Sequence, residues 1–540
     1  MRTLEIGRSW DGWLVRGVCV LLLAGLFTLC CVQESRKIGR LALPPNYDDV
    51  TYCHQGMILA RFIEHKGGLD GIKSFLAHRD LHSPYSIFLA GASYLVLGFG
   101  NASPYYANVL VVVLFLSCLS WLLRNLPFVA WLLSLLIFLT LPFITMGVVE
   151  FRPDIAWAIA AGFGTVFIVT SERLLRSPKN AAVAGVFLAL SLLTKPSTFV
   201  MTLLLYSGAF VSRGIALFPL RQAGKVICDS WKGILAFAAT VLLGAGPYWF
   251  FYGRDAYEYF MENSFGVHKG VWVFQGGLWK SLFFYISGEG WASNIGIPGT
   301  LLMLIVLASV VYLFLKKPEL RWKLIVLTAA TLGALAVNTF AEMKSPFLGG
   351  GIYGVWIFFA AYVLSEVYQL PDFTFPCKPR WHWKLPLLAV LALASMGFYR
   401  WPQYSKGLGD TVSRVASCAA QEFMEKTLNQ HFDALPGSIL FLQGGPIVPE
   451  GIGMWLVARN KMTPVYEGSF LQDKKVFSKV YQFNDWIVMQ DPGLEGSYST
   501  MPSEQHLREF DEIVRADSTY HILAEHVFSS GKKVWIFSRK

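Results

Sequence analysis

Long apolar runs, separated by short charged or Pro/Gly-rich breaks, fill the first three-quarters of the chain. Runs long enough to cross a bilayer as helices fall at about 14–32, 104–123, 127–147, 155–172, 180–194, 197–212, 233–252, 297–315, 323–340, 347–368 and 385–399. These predict eleven spans. A further run, 84–99, is shorter and rich in Gly and Ser, and counting it as a span inverts the sidedness of everything after it. Basic residues decide the matter, because cytoplasmic loops of membrane proteins carry an excess of Lys and Arg. With 84–99 lying in the outer interface, the inner loops hold Arg124; Arg173, Arg176 and Lys179; Arg213, Arg221, Lys225 and Lys232; Lys316, Lys317, Arg321 and Lys323; Lys378, Arg380 and Lys384. The short outer loops hold the isolated bases Arg152, Lys195 and Lys344. The N-terminus is then cytoplasmic, 33–103 is a long first outer loop with interfacial helices, and the C-terminal region lies outside.

From about Pro402 hydropathy falls and turn signals appear. Ser438–Leu442 and Trp486–Met489 read as strands, Ile452–Arg459 as a helix, and Tyr520–Glu525 with Lys533–Phe537 as a terminal hairpin. The predicted fold is thus a polytopic α-helical membrane protein of about eleven transmembrane helices, residues 1–400, with a small extracytoplasmic α/β domain at 401–540. There is no internal repeat and no low-complexity segment.

Composition sharpens this picture. The 540 residues are 54% hydrophobic and only 15% charged, too apolar for a surface facing water throughout. Eighteen Trp and 22 Tyr suit two membrane interfaces. The net charge of +10 is accounted for by inner loops and anionic headgroups, and no basic patch carries a nucleic-acid-binding motif. Eight cysteines form neither a disulfide framework nor a C-x-x-C metal pair. Cys53 and Cys418 are the two placed outside, where an oxidising compartment would let them pair. Arg2, Arg8 and Arg16 precede the run from Leu14 to Val32, which lacks a small-x-small cleavage site and reads as a retained first helix rather than a signal peptide.

Four polar motifs converge on the outer face, each with a structural alternative. Asp48-Asp49, in Asn46-Tyr47-Asp48-Asp49-Val50-Thr51-Tyr52, places two acids side by side, where repulsion and partial desolvation push one toward the range of a general base. The alternative is capping of a helix over Val50–His65. Glu150-Phe151-Arg152-Pro153-Asp154 sits at a helix start, where Arg152 and Asp154 also fit an interfacial anchor and a first-turn acid. Lys195, in Leu193-Thr194-Lys195-Pro196-Ser197, also fits a snorkelling lysine. His82, in His82-Ser83-Pro84-Tyr85, also fits a structural histidine.

Taken in order, these motifs resemble those of the glycosyltransferase C superfamily, in the branch of protein O-mannosyltransferases and lipid A aminoarabinose transferases. Asp48-Asp49-Val50-Thr51-Tyr52 resembles the D-[DE]-x-x-Y pattern of its first outer loop, and His82-Ser83-Pro84-Tyr85 its H-P-P-L stretch. Arg152-Pro153-Asp154 is similar to its R-x-D element, and Leu193-Thr194-Lys195 to its L-x-K stretch. The match covers about residues 10–210. Ser83 replaces the first Pro, Pro196 stands where Gly is usual, and the late R-Y loop is not recognisable in Glu342-Met343-Lys344-Ser345-Pro346-Phe347.

The resemblance implies inverting transfer of one sugar from a polyprenyl phosphate to an acceptor hydroxyl, on a lipid, a glycan or a protein, at the outer face of the bacterial inner membrane. It implies a base for the acceptor and cations for the phosphate. Asp48 fits the base, with Asp49 and Asp154 orienting acceptor or sugar. Lys195 and Arg152 are the first candidates for the phosphate, Lys344 and Arg254 the next, and His82 and Tyr52 are further substrate contacts. An inverting displacement needs one carboxylate as base, unlike glycoside hydrolysis. No cofactor is implied. Two clustered acids are few for a hard divalent cation, so a metal-independent reaction is favoured. The competing class is a transporter or flippase of lipid-linked glycans, which would place its charges near the bilayer midplane rather than at helix boundaries.

Overall fold

The computed structural model describes residues 10–37, 41, 48–77, 83–217, 223–266, 273–274, 276–370, 411–432, 435–442, 445–494 and 501–540. Its elements run α1 (Trp10–Lys37), α2 (Asp48–Lys66), α3 (Gly68–Leu76), α4 (Pro84–Leu97), α5 (Val109–Leu122), α6 (Phe128–Leu139), α7 (Pro142–Val149) and α8 (Pro153–Thr170). There follow α9 (Pro178–Thr194), α10 (Phe199–Leu217), α11 (Ala223–Gly244), α12 (Gly246–Ser264), α13 (Gly296–Lys316), α14 (Arg321–Phe340) and α15 (Gly350–Tyr368). The last part holds α16 (Thr411–Gln430), β1 (Ile439–Phe441), α17 (Pro449–Ala458), β2 (Val465–Glu467), α18 (Lys474–Val480), β3 (Trp486–Gln490), α19 (Leu507–Ala516), β4 (Tyr520–Val527) and β5 (Lys533–Arg539). The chain forms two compact units: 1–34, 80–86 and 105–404 make the first; 35–79, 87–104 and 405–540 make the second.

In the first unit, seven helices are long and apolar enough to cross a membrane, and two bent pairs raise the count to nine among the described residues. Leu21, Leu22 and Leu26 on α1, Leu203, Leu204, Val211 and Ile215 on α10, and Leu301, Leu304 and Leu307 on α13 are all exposed, an apolar surface only lipid can solvate. This is a multi-span membrane protein. The bends, 62° between α6 and α7 and 60° between α11 and α12, fall at Pro142 and at Gly244-Ala245-Gly246-Pro247, where proline removes a donor and crowds the preceding turn. Ten of the eleven expected spans fall on described helices, the short α9 among them; 385–399 lies outside the described residues.

At the centre lie α8 and α15, buried along nearly their whole length. Small residues let their backbones meet. A Cβ built on Gly354 would stand 2.3 Å from the Ala158 carbonyl oxygen, and one on Gly162 2.3 Å from the Gly354 carbonyl carbon. The contacts Gly350 to Ala158 and Gly354 to Ala158 and Gly162 advance together, so the two helices run parallel and both N-termini lie at one end of the bundle. At the other end, basic side chains close helix C-termini. Arg16 donates to the carbonyls of Arg124 (2.9 Å) and Leu126 (2.7 Å), Arg213 to those of Ile168 (3.0 Å) and Glu172 (2.9 Å), and Lys317 pairs with Glu366 at 3.2 Å.

The second unit is built on a five-stranded sheet of order β2-β1-β3-β5-β4, with β1 parallel to β2 and β3, and β5 antiparallel to β3 and β4. Alternation assigns the faces. Ile439, Phe441, Trp486, Val488, Val534 and Ile536 pack under α16 and α17, while Leu440, Ile487, Met489, Trp535 and Phe537 pack under α18 and α19. The expected strands, helix and terminal hairpin are all present. The short β2 and the helices α16, α18 and α19 are not foreseen from the sequence. The unit also takes in α2, α3 and most of α4. At 14 residues α4 is about 21 Å long, short of a bilayer. It lies against α2, with the Gly56 Cβ position 2.4 Å from the Ala90 Cβ, and just beyond it Phe99 stacks under the Arg61 guanidinium at 3.8 Å. Residues 87–104, most of α4 and the turn after it, thus share a unit with α2 and α3. Cys53 is buried and Cys418 exposed, and no disulfide joins them, so the pair that an oxidising exterior would allow is not formed.

Candidate active site

The site in the first unit starts from one buried carboxylate. Pro153 opens α8, so Arg152 takes the N-cap position with extended backbone and Asp154 falls in the first turn. The Asp154 side chain is 1% exposed. One of its oxygens accepts a hydrogen bond from Arg152 Nε at 3.2 Å, and the other accepts one from Lys195 Nζ. Lys195 reaches it from the break between α9 and the short 3-10 turn Pro196–Thr198, which Pro196 enforces. Arg152 and Lys195 keep 15% and 17% of their side chains exposed. Two cations thus share one carboxylate at the N-terminus of a central helix, and the three side chains together carry one net positive charge beside the positive end of the helix dipole. Such an arrangement can attract an anion.

Two further segments converge here. Ser83 Oγ donates to the Thr194 carbonyl at 2.6 Å, fixing the start of α4 on the end of α9 next to Lys195. The loop before α15 lays Phe347 under Arg152, ring centroid 3.8 Å from the guanidinium carbon. That loop is braced from several sides. Tyr285 donates to the Ser345 carbonyl (3.1 Å), the buried Asn294 to the Pro346 carbonyl (2.9 Å), and Tyr353 to the Tyr285 carbonyl (2.6 Å). Met343 also forms an antiparallel bridge with Val273.

Of the expected site residues, the structure brings together Arg152, Asp154 and Lys195. Lys344 is engaged elsewhere, for its Nζ donates to the carbonyls of Asn338 (2.8 Å), Thr339 (2.8 Å) and Ala341, closing the end of α14 with all three of its protons. Desolvation there lowers its pKa. Arg254 is 85% exposed on α12 and pairs with Glu258 one turn on, at 2.7 Å. His82 lies outside the described residues. In the second unit, Asp48 and Asp49 are the first two residues of α2, in the turn where the helix dipole favours acids; Asp49 is 1% exposed and Tyr52 is half-buried. Sequence reasoning missed Phe347, Tyr285 and Asn294. Phe347 stood in the loop where the family pattern was not recognisable, and no local signal marks an aromatic ring destined for a distant arginine.

No protein-family model matches the chain, and no curated protein sequence matches it. Solved structures do. The structure of ArnT from Cupriavidus metallidurans bound to undecaprenyl phosphate aligns over 98% of this chain and 98% of its own, at 12% identity and a TM-score of 0.51. The apo form of that protein aligns over 97% and 98%, at 14% identity and a TM-score of 0.54. The arabinofuranosyltransferase AftD from Mycobacteria aligns over 96% of this chain but 40% of its own, at 14% identity and a TM-score of 0.52. Across nearly its whole length, this chain has the glycosyltransferase C fold.

Proposed function

We propose that the chain is an inverting glycosyltransferase that moves one sugar from a polyprenyl-phosphate carrier to an acceptor hydroxyl at the outer face of a bacterial inner membrane. The observation that carries this reading is the pre-assembled Arg152–Asp154–Lys195 cluster at the N-terminus of α8, in a fold shared with a protein solved with undecaprenyl phosphate bound. Arg152 and Lys195 hold the donor phosphate and meet the charge that develops as it leaves. Asp154, with both oxygens taken by those cations, sets their positions rather than contacting the acceptor. Phe347 holds the guanidinium plane. The basic side chains at the opposite end of the bundle support a cytoplasmic location for that end and an outer location for the cluster.

The reaction needs little else. The acceptor oxygen forms a bond to the anomeric carbon, the bond from that carbon to the phosphate oxygen breaks with its electron pair leaving on the phosphate, and the acceptor proton passes to a base. By its place in the D-[DE]-x-x-Y motif that base is Asp48, with Asp49 orienting a partner. Tyr52 and His82 contact substrate by the same resemblance. The sugar is a pentose or hexose, the acceptor a lipid such as lipid A, a glycan or a protein, and the reaction runs without a cofactor or a metal ion.

Asp48→Asn tests the assignment, because the amide keeps the shape but accepts no proton. Turnover should fall roughly a hundredfold to ten-thousandfold in kcat, with undecaprenyl phosphate still bound. Asp49→Asn should cost less. A fully active Asp48→Asn enzyme sinks the base, and a more damaging Asp49→Asn moves it by one residue.

A further inference from the structure

The second unit joins the first-loop helix α2 to the C-terminal α/β module through an unusually complete set of contacts at Arg61. Its Nε and Nη2 donate to the Val457 (3.1 Å) and Ala458 (2.9 Å) carbonyls, orphan acceptors in the last turn of α17. Its Nη1 donates to Glu64 at 2.7 Å, and its guanidinium plane stacks on Phe99 at 3.8 Å. Two turns earlier along α2, the buried His54 sits over Gly453 of α17. A Cβ on Gly453 would stand 2.4 Å from the His54 ring atoms Cε1 and Nε2, so glycine is what lets the helices close. Two contacts a full heptad apart fix both the rotation and the axial register of α2 against α17. Asp48 lies thirteen residues before Arg61, about 20 Å along the helix axis.

We propose that the C-terminal module is a positioning device for the first turn of α2, and that Arg61, clamped on the end of α17, is its principal positioning residue. Arg61 is too far along its own helix to act on the atoms that Asp48 acts on, so its influence is transmitted by the direction of α2. This rests on the reading of Asp48 as the base. A displacement of a catalytic group by about 1 Å costs on the order of a hundredfold in rate, which sets the scale of the effect. Arg61→Lys should behave like Arg61→Ala, because a single ammonium cannot replace the planar fork and the stacking face together.

The test uses the purified full-length chain, with undecaprenyl phosphate as the binding probe. For turnover, the donor is whichever member of a panel of synthetic undecaprenyl-phosphate pentoses and hexoses the wild type consumes. Arg61→Ala should lower kcat at least roughly tenfold with little change in donor KM or in undecaprenyl-phosphate affinity, and Arg61→Lys should do nearly the same. Hydrogen exchange should accelerate at residues 50–56 while β3 stays protected. Gly453→Ala should reproduce the kcat loss, and adding His54→Ala should restore part of it by removing the clash, which keeps the idea testable if Arg61→Ala misfolds. Unchanged exchange at 50–56 in folded Arg61→Ala overturns the proposal whatever the activity. So does full kcat in Arg61→Ala when Asp48→Asn is dead. A dead Arg61→Ala beside a fully active Asp48→Asn instead removes the base assignment and leaves the clamp standing on the exchange data.

Discussion

Replacing Asp154 by Asn probes the cluster at its centre. The carboxylate is 1% exposed and accepts from two cations that are themselves mostly buried, so removing its charge takes away the acceptor that Arg152 and Lys195 share. The amide offers one acceptor oxygen in place of two, and its NH2 group turns a donor toward the second cation. Each charge-assisted hydrogen bond is worth roughly 1.5–3 kcal/mol, and breaking a buried pair by deleting one partner costs about 3–5 kcal/mol. The exposure of the cations lets water recover part of this, so about 3 kcal/mol is the expected disturbance. It should appear chiefly as a displaced Lys195, since Arg152 is also held by Phe347. The assay is a double-mutant cycle on donor kcat/KM with Asp154→Asn, Lys195→Ala and the combination. Each single change should cost at least roughly tenfold, and the double should cost little more than the worse single one, because residues in one ion-pair network do not act independently. Losses that multiply would refute the view that Asp154 works through Lys195. A fully active Asp154→Asn enzyme would refute the cluster altogether.

The remaining predictions separate donor contacts from supports and test the topology. Lys344→Ala should lower thermal stability by freeing the end of α14 while leaving donor KM unchanged; a raised KM would return Lys344 to the donor site. Phe347→Ala should do the reverse, raising donor KM by about threefold to thirtyfold, the equivalent of a cation–π contact worth roughly 0.5–2 kcal/mol, with no large change in melting temperature. A phosphatase fused after Lys540 should report an exterior C-terminus, and activity only of a cytoplasmic reporter at that position would invert the proposed sidedness.

Much of the fold was legible because lipid enforces a simple code. A helix crossing a bilayer must show a long apolar run, so an expected span falls on each of the seven described helices long and apolar enough to cross and on both bent pairs. The strands Ser438–Leu442 and Trp486–Met489 were legible for a related reason: both faces of the sheet are buried, so they read as unbroken apolar runs. The three-residue β2 carries too little pattern to stand out. At the site, Arg152, Asp154 and Lys195 were found as motif members, but their mutual contacts were not, since the 41-residue separation of Asp154 and Lys195 is bridged only by the packing of α9 on α8. The carbonyl contacts of Lys344 were not legible either. A lone loop lysine looks the same in sequence whether it awaits a phosphate or closes the helix that precedes it. The Arg61 clamp was invisible because its partners are backbone carbonyls 396 and 397 residues away, and carbonyls have no sequence signature.

The most direct test of the central claim is the fate of the donor. Purified protein in detergent or nanodiscs, given labelled undecaprenyl-phosphate pentoses and hexoses with extracted envelope lipids and glycans as acceptors, should release undecaprenyl phosphate in equal amount to the sugar gained by an acceptor. The activity should persist in EDTA and be lost in Asp48→Asn. Donor that stays chemically intact across the panel, or that only changes leaflet in sealed vesicles, would contradict glycosyl transfer and identify the chain as a carrier of lipid-linked sugars instead.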